Sequence, residues 1–282
     1  MNRKKRRGGC LRRLGLLLLI LLALALTVAA LSPLPPTGAA TMSWLKDRPI
    51  AHRGLHTSTV SENSLAAFDD AIAAGYCIEL DLRLSADGEI MVIHDDSLQR
   101  VCGQAGRVSR LTREELRACK LTNGEDIPTL AEVLSRVDGR APILIELKPA
   151  RTSRQAAELM LPQLDDYAGE FAIQSFDPWL CRYVKQLRPD WQVGLLDNGL
   201  GFGPAWLRLA LDKALIRVCR PDFISYRLRA ILPGMLDDFR ARGTAVLAYG
   251  VFETQLADPA SYLEQTDNLI FDREPLIKLG QK

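Results

Sequence analysis

His52-Arg53-Gly54, Glu79-Leu80-Asp81, His94 and Glu146-Leu147-Lys148 are the clusters in which residue type and spacing could do chemistry. Each sits at or just after a short apolar run, where a strand would end. Side chains alternate between the faces of a strand, so Glu79 and Asp81 point to one side, as do Glu146 and Lys148. Acidic pairs aimed at one face of a buried strand are costly unless something binds them. A divalent cation with a phosphate beside it is the compensation these residues suggest. Glu79, Asp81 and Glu146 are hard oxygen donors, suited to Mg2+ or Ca2+ rather than a thiol-loving metal. Salt bridges to Arg53, Arg83 and Lys148 are the plainer use of the same carboxylates.

The elements that must position these groups alternate short apolar runs with helical patterns from Pro49 onward. Strands are expected at Ile50-Ala51, Cys77 to Leu82, Ile90 to Ile93, Ile143 to Leu147, Phe171 to Ser175, Gln192 to Leu195, Phe223 to Ser225, Ala245 to Ala248 and Asn268 to Phe271. Helices are expected at Ser64 to Ala74, Thr129 to Val137, Ser153 to Met160, Pro178 to Leu187, Leu232 to Ala241 and Pro259 to Glu264. About eight such βα units imply a parallel sheet closed into a barrel. An open doubly wound sheet is the rival, but no G-x-G-x-x-G follows the first strand. Residues 95–126 interrupt the rhythm and read as a small insertion over the barrel mouth. Within it Thr112 and Glu115 have the spacing of a capping box.

Charge is uneven. The net charge is only +2 over 282 residues, yet Arg3, Lys4, Lys5, Arg6, Arg7, Arg12 and Arg13 fall in the first thirteen, which leaves the remaining chain net negative. A nucleic-acid-binding body would need a basic stripe of its own, and none is apparent. Residues 14–31 form an apolar run that would reach roughly 27 Å as a helix, close to the hydrocarbon thickness. The run reads as a transmembrane signal anchor, with the basic segment 1–13 cytoplasmic and the body on the outer (periplasmic or extracellular) side. A secretory signal peptide cut after Val28-Ala29-Ala30 is the alternative. Residues 32–48 read as a linker, Pro- and Ala-rich at its start, before a catalytic domain at 49–282. The six cysteines match no zinc spacing. Cys77, Cys181 and Cys219 read as buried thiols, and Cys102 and Cys119 could pair if the body is exported.

The order His52-Arg53-Gly54, Glu62-Asn63, Glu79-x-Asp81, Asp87-Gly88, His94-Asp95, Ile127-Pro128-Thr129-Leu130 and Glu146-x-Lys148 resembles the glycerophosphodiester phosphodiesterase family. Gln174-Ser175-Phe176 and Phe271-Asp272-Arg273-Glu274-Pro275 extend the likeness into the C-terminal half. Two positions depart from it. Tyr249-Gly250 stands where the family commonly has Trp-Thr, and Ser61 precedes Glu62 where Pro is usual. The resemblance implies a TIM (β/α)8 barrel with its site at the C-terminal strand ends, using one divalent cation, Mg2+ or Ca2+. It also implies hydrolysis of a glycerophosphodiester to glycerol 3-phosphate and an alcohol.

That chemistry needs two proton transfers and neutralisation of phosphoryl charge. Imidazoles titrate near neutrality, so His52 and His94 are the expected acid–base pair. The resemblance gives Glu79, Asp81 and Glu146 the metal, as their chemistry does. Arg53 and Lys148 are expected on phosphate oxygens. Glu62 is a supporting polar contact, a partner that orients Arg53, or a helix cap. Asn63 is a good helix-cap residue. His56 lacks the setting of the other two histidines. A lipid phosphodiesterase acting on lysophospholipids or phosphoinositides at a membrane is the alternative enzyme. A non-catalytic phosphodiester-binding barrel is the alternative of another class.

Overall fold

The computed structural model describes residues 15–25, 27, 42–199, 204–231, 236–251 and 266–272. Eight parallel strands close into a barrel: β1 (Ile50–Ala51), β2 (Cys77–Leu84), β4 (Ile143–Leu147), β5 (Phe171–Ser175), β6 (Val193–Asp197), β7 (Phe223–Arg227), β8 (Ala245–Val251) and β9 (Asn268–Phe271), with β9 and β2 both pairing to β1. All nine runs expected as strands are strands. The ninth, β3 (Ile90–Val92), lies antiparallel on β2 outside the barrel. The reason is a difference in length. Two-residue β1 pairs only Cys77 and Ile78, so β2 runs on past it, and β3 covers Leu82 to Leu84 along the edge β1 leaves.

Helices fill the outside: α2 (Leu65–Ala73), α5 (Leu130–Val137), α6 (Ser153–Asp165), α7 (Pro178–Leu187), α8 (Ala205–Cys219) and α9 (Asp237–Arg240), while the short α1 (Trp44–Asp47) packs against β8 and β9. Thr129 caps α5 through a capping box with Glu132, and Asp177 caps α7 ahead of Pro178. The helices differ from expectation in three places. The fifteen-residue α8 was not expected at all. α6 continues through Pro162 to Asp165. Of Leu232 to Ala241, Asp237–Arg240 is helix among the described residues, and residues 232–235 lie outside the described set, as does Pro259 to Glu264.

Strand alternation sorts the core into two layers. Outward residues such as Ile78, Leu80, Ile143, Ile145 and Ile224 pack under the helices. Inward residues Ile50, Cys77, Leu144, Ala172, Phe223, Ala245, Leu247 and Ile270 fill the barrel, with Trp44 and Leu45 joining them from α1. Phe223 is in register with Gly194 on β6, and a Cβ at 194 would come within 2.2 Å of its ring. Glycine is therefore the residue that lets β6 and β7 approach around a bulky inward ring.

Residues 95–126 form a compact cap holding α3 (Gln99–Cys102), a 3-10 turn at Val108–Arg110 and α4 (Arg113–Arg117). Its own apolar cluster includes Leu98, Val101, Val108, Leu116 and Leu121 together with Met91 and Ile93 of the β3 segment. The capping box at Thr112 and Glu115 is present. Cys102 and Cys119 both belong to this cluster and are free thiols, so the offered disulfide is not formed. Cys77, Cys181 and Cys219 are buried free thiols. Residues 15–25 and 27 are helical, with Leu16 to Leu22 exposed, and no described helix is long and apolar enough to cross a membrane. The rest of 14–31, the Val28-Ala29-Ala30 cleavage position and residues 32–41 lie outside the described residues.

Gly194→Ala is expected to cost about 1–3 kcal/mol by overpacking the barrel against Phe223. Urea denaturation measures it, and adding Phe223→Leu should recover part of the loss. An unchanged midpoint would mean that the ring moves aside freely.

Candidate active site

The barrel interior changes character toward the C-terminal strand ends. On β2 the inward series is Cys77, Glu79, Asp81, and on β4 it is Leu144, Glu146, Lys148 just past the strand. Asp81 and Glu146 are register partners. Glu79, Asp81 and Glu146 are all buried, and each offers a carboxylate oxygen within 4.8 Å of the others'. His52 follows β1 and His94 follows β3. The Ile93 N–H donates to the Asp81 carbonyl at 2.9 Å, so the outer hairpin brings His94 back to the mouth. The structure thus gathers His52, His94, Glu79, Asp81, Glu146, Arg53 and Lys148 at one end of the barrel.

Cations and amides hold the carboxylates. Lys148 Nζ lies 2.7 Å from both Asp81 Oδ1 and Glu146 Oε1. Arg53 Nε lies 3.2 Å from Asp81 Oδ2, its backbone N–H donates to Glu79 Oε2 at 3.0 Å, and its Nη1 donates to Glu62 Oε1 at 2.9 Å. Arg83 does not join them. Its Nε donates to the His94 carbonyl at 2.6 Å. Glu62 orients Arg53 and does not cap the following helix, which Ser64 caps by accepting from the Ala67 N–H. Asn63 does not cap it either. It donates from Nδ2 to Asp81 Oδ2 at 2.8 Å and accepts from the Asp81 N–H at 3.3 Å.

The backbone is bent to allow this. Arg53 and Asn63 have φ of 58° and 54°, unusual for residues with side chains, and both sit at the site. Gly54 has φ of 79°, and a Cβ there would come within 2.8 Å of Ala67 on α2.

Partners that sequence reasoning left without a role set the imidazoles. His52 Nδ1 pairs with Asp272, just past β9, and His94 Nδ1 pairs with Asp95 Oδ1 at 2.7 Å. Both rings therefore keep Nε2 for the mouth, and His52 Nε2 stands 4.0 Å from Glu79 Oε2. Arg100 on α3 of the cap ties the two sides together. It donates from Nη1 and Nη2 to Glu62 at 2.6 and 2.7 Å, and from Nε to Asp95 Oδ2 at 2.5 Å. His56 is half-buried near Glu62, His52 and Asp272, closer to the site than its sequence setting suggested. Tyr249, inward at the end of β8, donates to Asn198 Oδ1 at 2.7 Å and meets Phe176 edge-on, walling the mouth where the family's Trp is expected.

Burial and charge set protonation. Burial, with Asp81 and Glu146 beside it, pushes Glu79 up to about 8, and burial raises Glu146 as well. Burial also opposes the ionisation of Asp81, but Lys148 and Arg53 outweigh it and hold that carboxyl below its usual range. For His52 the lowering by burial is outweighed by Glu79 and Asp272, so it is raised, whereas burial lowers His94. The two imidazoles are thus pushed apart.

The donor set fits a divalent cation. Asp81 Oδ1 and Glu146 Oε1 are buried and accept no hydrogen bond of good geometry, although Lys148 is near both. Buried carboxylate oxygens short of donors are what a hard cation satisfies.

Comparison with known proteins agrees with this geometry. The sequence profile of the glycerophosphoryl diester phosphodiesterase family matches residues 52–269. A glycerophosphodiester phosphodiesterase of Caldanaerobacter subterraneus subsp. tengcongensis is 34% identical over 164 residues, which span 54% of this chain and 67% of that protein. The crystal structure of a glycerophosphodiester phosphodiesterase from Thermotoga maritima superposes with a TM-score of 0.64 at 27% identity, covering 78% of this chain and 92% of that one. An Oleispira antarctica phosphodiesterase solved with the product sn-glycerol-3-phosphate shares the fold, with a TM-score of 0.71 at 23% identity over 83% and 96% of the two chains.

Mg2+ or Ca2+ at 100 times its Kd is expected to add about 2.7 kcal/mol of stability. The readout is a rise in Tm that a Glu79→Ala/Glu146→Ala double variant lacks. A Tm unmoved by either ion would count against a cation between these carboxylates.

Proposed function

The chain belongs to the glycerophosphoryl diester phosphodiesterase family and is an enzyme of that family, and from this premise we propose that it hydrolyses glycerophosphodiesters to glycerol 3-phosphate and an alcohol, with one divalent cation, by histidine acid–base catalysis. The observation that carries the reading is the meeting of two carboxylate-held imidazoles with three buried carboxylates at one barrel mouth.

The residues divide the work as follows. His52 and His94, each fixed at Nδ1, present Nε2 to the substrate. One takes the proton of the attacking hydroxyl or water, and the other gives a proton to the departing alkoxide. Asp272 and Asp95 fix ring orientation and tautomer, and stabilise the imidazolium when it forms. Arg53 and Lys148 supply positive charge for the phosphoryl oxygens, with Glu62 keeping the Arg53 guanidinium in place. Glu79, Asp81 and Glu146 would hold Mg2+ or Ca2+, which when bound polarises the phosphoryl group.

The apolar segment at 14–31 is proposed to anchor the enzyme with its catalytic body on the outer side. The basic residues before it and the exposed leucines of the helix at residues 15–25 support this reading. Cleavage and secretion is the other outcome. A compartment reporter fused to the C-terminus decides the orientation, and a signal confined to the cytosol would reverse it.

His52→Ala, His94→Ala and Glu79→Ala are each expected to lower kcat by about 100- to 10,000-fold with an unchanged circular-dichroism spectrum. EDTA should abolish turnover, and Mg2+ or Ca2+ should restore it. Full activity in a variant would remove that residue from the mechanism. Assaying lysophosphatidylcholine beside glycerophosphocholine separates the lipid phosphodiesterase reading, which predicts faster cleavage of the lipid.

A further inference from the structure

Beside the reacting centre lies a cleft of about 590 Å3, within the size range of small-molecule sites. Its walls come from the end of β2, the loop between β4 and α6, and the cap. Five of its lining residues are cationic: Arg83, Arg107, Arg110, Lys148 and Arg151. Asp96 is the one acid among them, and it is already committed. Its Oδ1 accepts from the Ser109 N–H at 3.0 Å and its Oδ2 from Arg107 Nη1 at 3.2 Å. Arg83 is fixed on the His94 carbonyl. Arg110 and Arg151 are exposed, and among the described residues neither side chain has a hydrogen-bond or ion-pair partner. The cleft and the reacting centre share Lys148, and Arg83 ties the cleft wall to the His94 backbone.

Cations lining one concavity repel each other, and the field they focus there attracts an anion. A guanidinium fork matches a phosphate better than an ammonium does. We propose that this cleft binds a second phosphate, carried by the alcohol portion of the substrate, so that the preferred substrate is a glycerophosphodiester whose alcohol is itself phosphorylated. The proposal rests on the hydrolase reading above and adds the class of alcohol. A cationic alcohol gains nothing from such a wall.

The test compares glycerophosphoglycerol with the same diester phosphorylated on its distal glycerol, in the full-length wild type and in an Arg110→Glu/Arg151→Glu double variant. Both substituted side chains are exposed and unpartnered, so the fold should persist. We expect kcat/KM at least 10-fold higher for the phosphorylated diester, mostly through KM and weakening with added salt. The double variant should lose that preference while cleaving the neutral diester within 2-fold of wild type. Equal kcat/KM for the two diesters, or a preference that survives the double variant, overturns the proposal. Free inorganic phosphate provides a separate arm. Stimulation of the neutral diester by it would make the cleft a regulatory anion site and overturn the substrate assignment, whereas competition against the phosphorylated diester alone supports it. Should neither diester be cleaved, the hydrolase reading fails, and calorimetric titration still decides the cleft. Tighter binding of the phosphorylated diester that the double variant loses upholds the cleft, and equal binding discards it.

Discussion

Three carboxylates buried within 4.8 Å of one another at the end of an apolar barrel are the constraint around which the rest is arranged. Left alone, such a cluster would lose its charge by taking up protons. Glu79 and Glu146 show that tendency, while Asp81 escapes it because Lys148, Arg53 and Asn63 all reach it. The cluster is therefore graded, with Asp81 held ionised while burial and like charge raise Glu79 and Glu146 above the usual carboxylate range. That grading gives a hard cation something to bind and a phosphate two cations to meet.

The barrel makes this cluster affordable through strand length and register. Inward positions below it carry Ile50, Leu144, Phe223 and Leu247, a buried apolar layer on its N-terminal side. The overhang of β2 beyond β1 matters equally. It gives β3 an edge to pair with, and the β3 hairpin is what returns His94 to within reach of Asp81. His52, by contrast, needs only the end of β1, and the last strand supplies its carboxylate partner.

Strands were legible in the sequence because β-branched and aliphatic runs are short here and bounded by turn residues. The metal-ligating geometry was legible because two-residue spacing on a strand fixes a shared face. What escaped did so for identifiable reasons. In α8 the binary pattern is broken, with Asp212 and Lys213 buried beside Ala210, Ile216 and Cys219 while Trp206 and Leu215 are exposed, so no clean helical period stands out. Asp212 sits inside because Tyr226 on the outward face of β7 donates to it at 2.8 Å. Asp272 lies 220 positions from His52, and no local spacing can link residues joined only by barrel closure. Asn63 and Glu62 precede a helix and so read as caps, although Ser64 takes that task and frees both for the site.

The cap shows how an insertion acquires a functional hold on a barrel that closes without it. Its apolar cluster is built on Met91 and Ile93, the outward side of the hairpin that carries His94, so the packing of the cap and the placing of that imidazole are one structural problem. Arg100 then reaches from the cap to Glu62 on the β1 side and Asp95 on the β3 side, spanning the mouth with charge-assisted bonds. The other side of the cap contributes Arg107 and Arg110 to the cationic cleft. One short segment thus bears on both the orientation of the reacting groups and the wall beside them. Substrate choice could then change through residues 95–126 while the carboxylates, held by β2 and β4, stay where the barrel puts them.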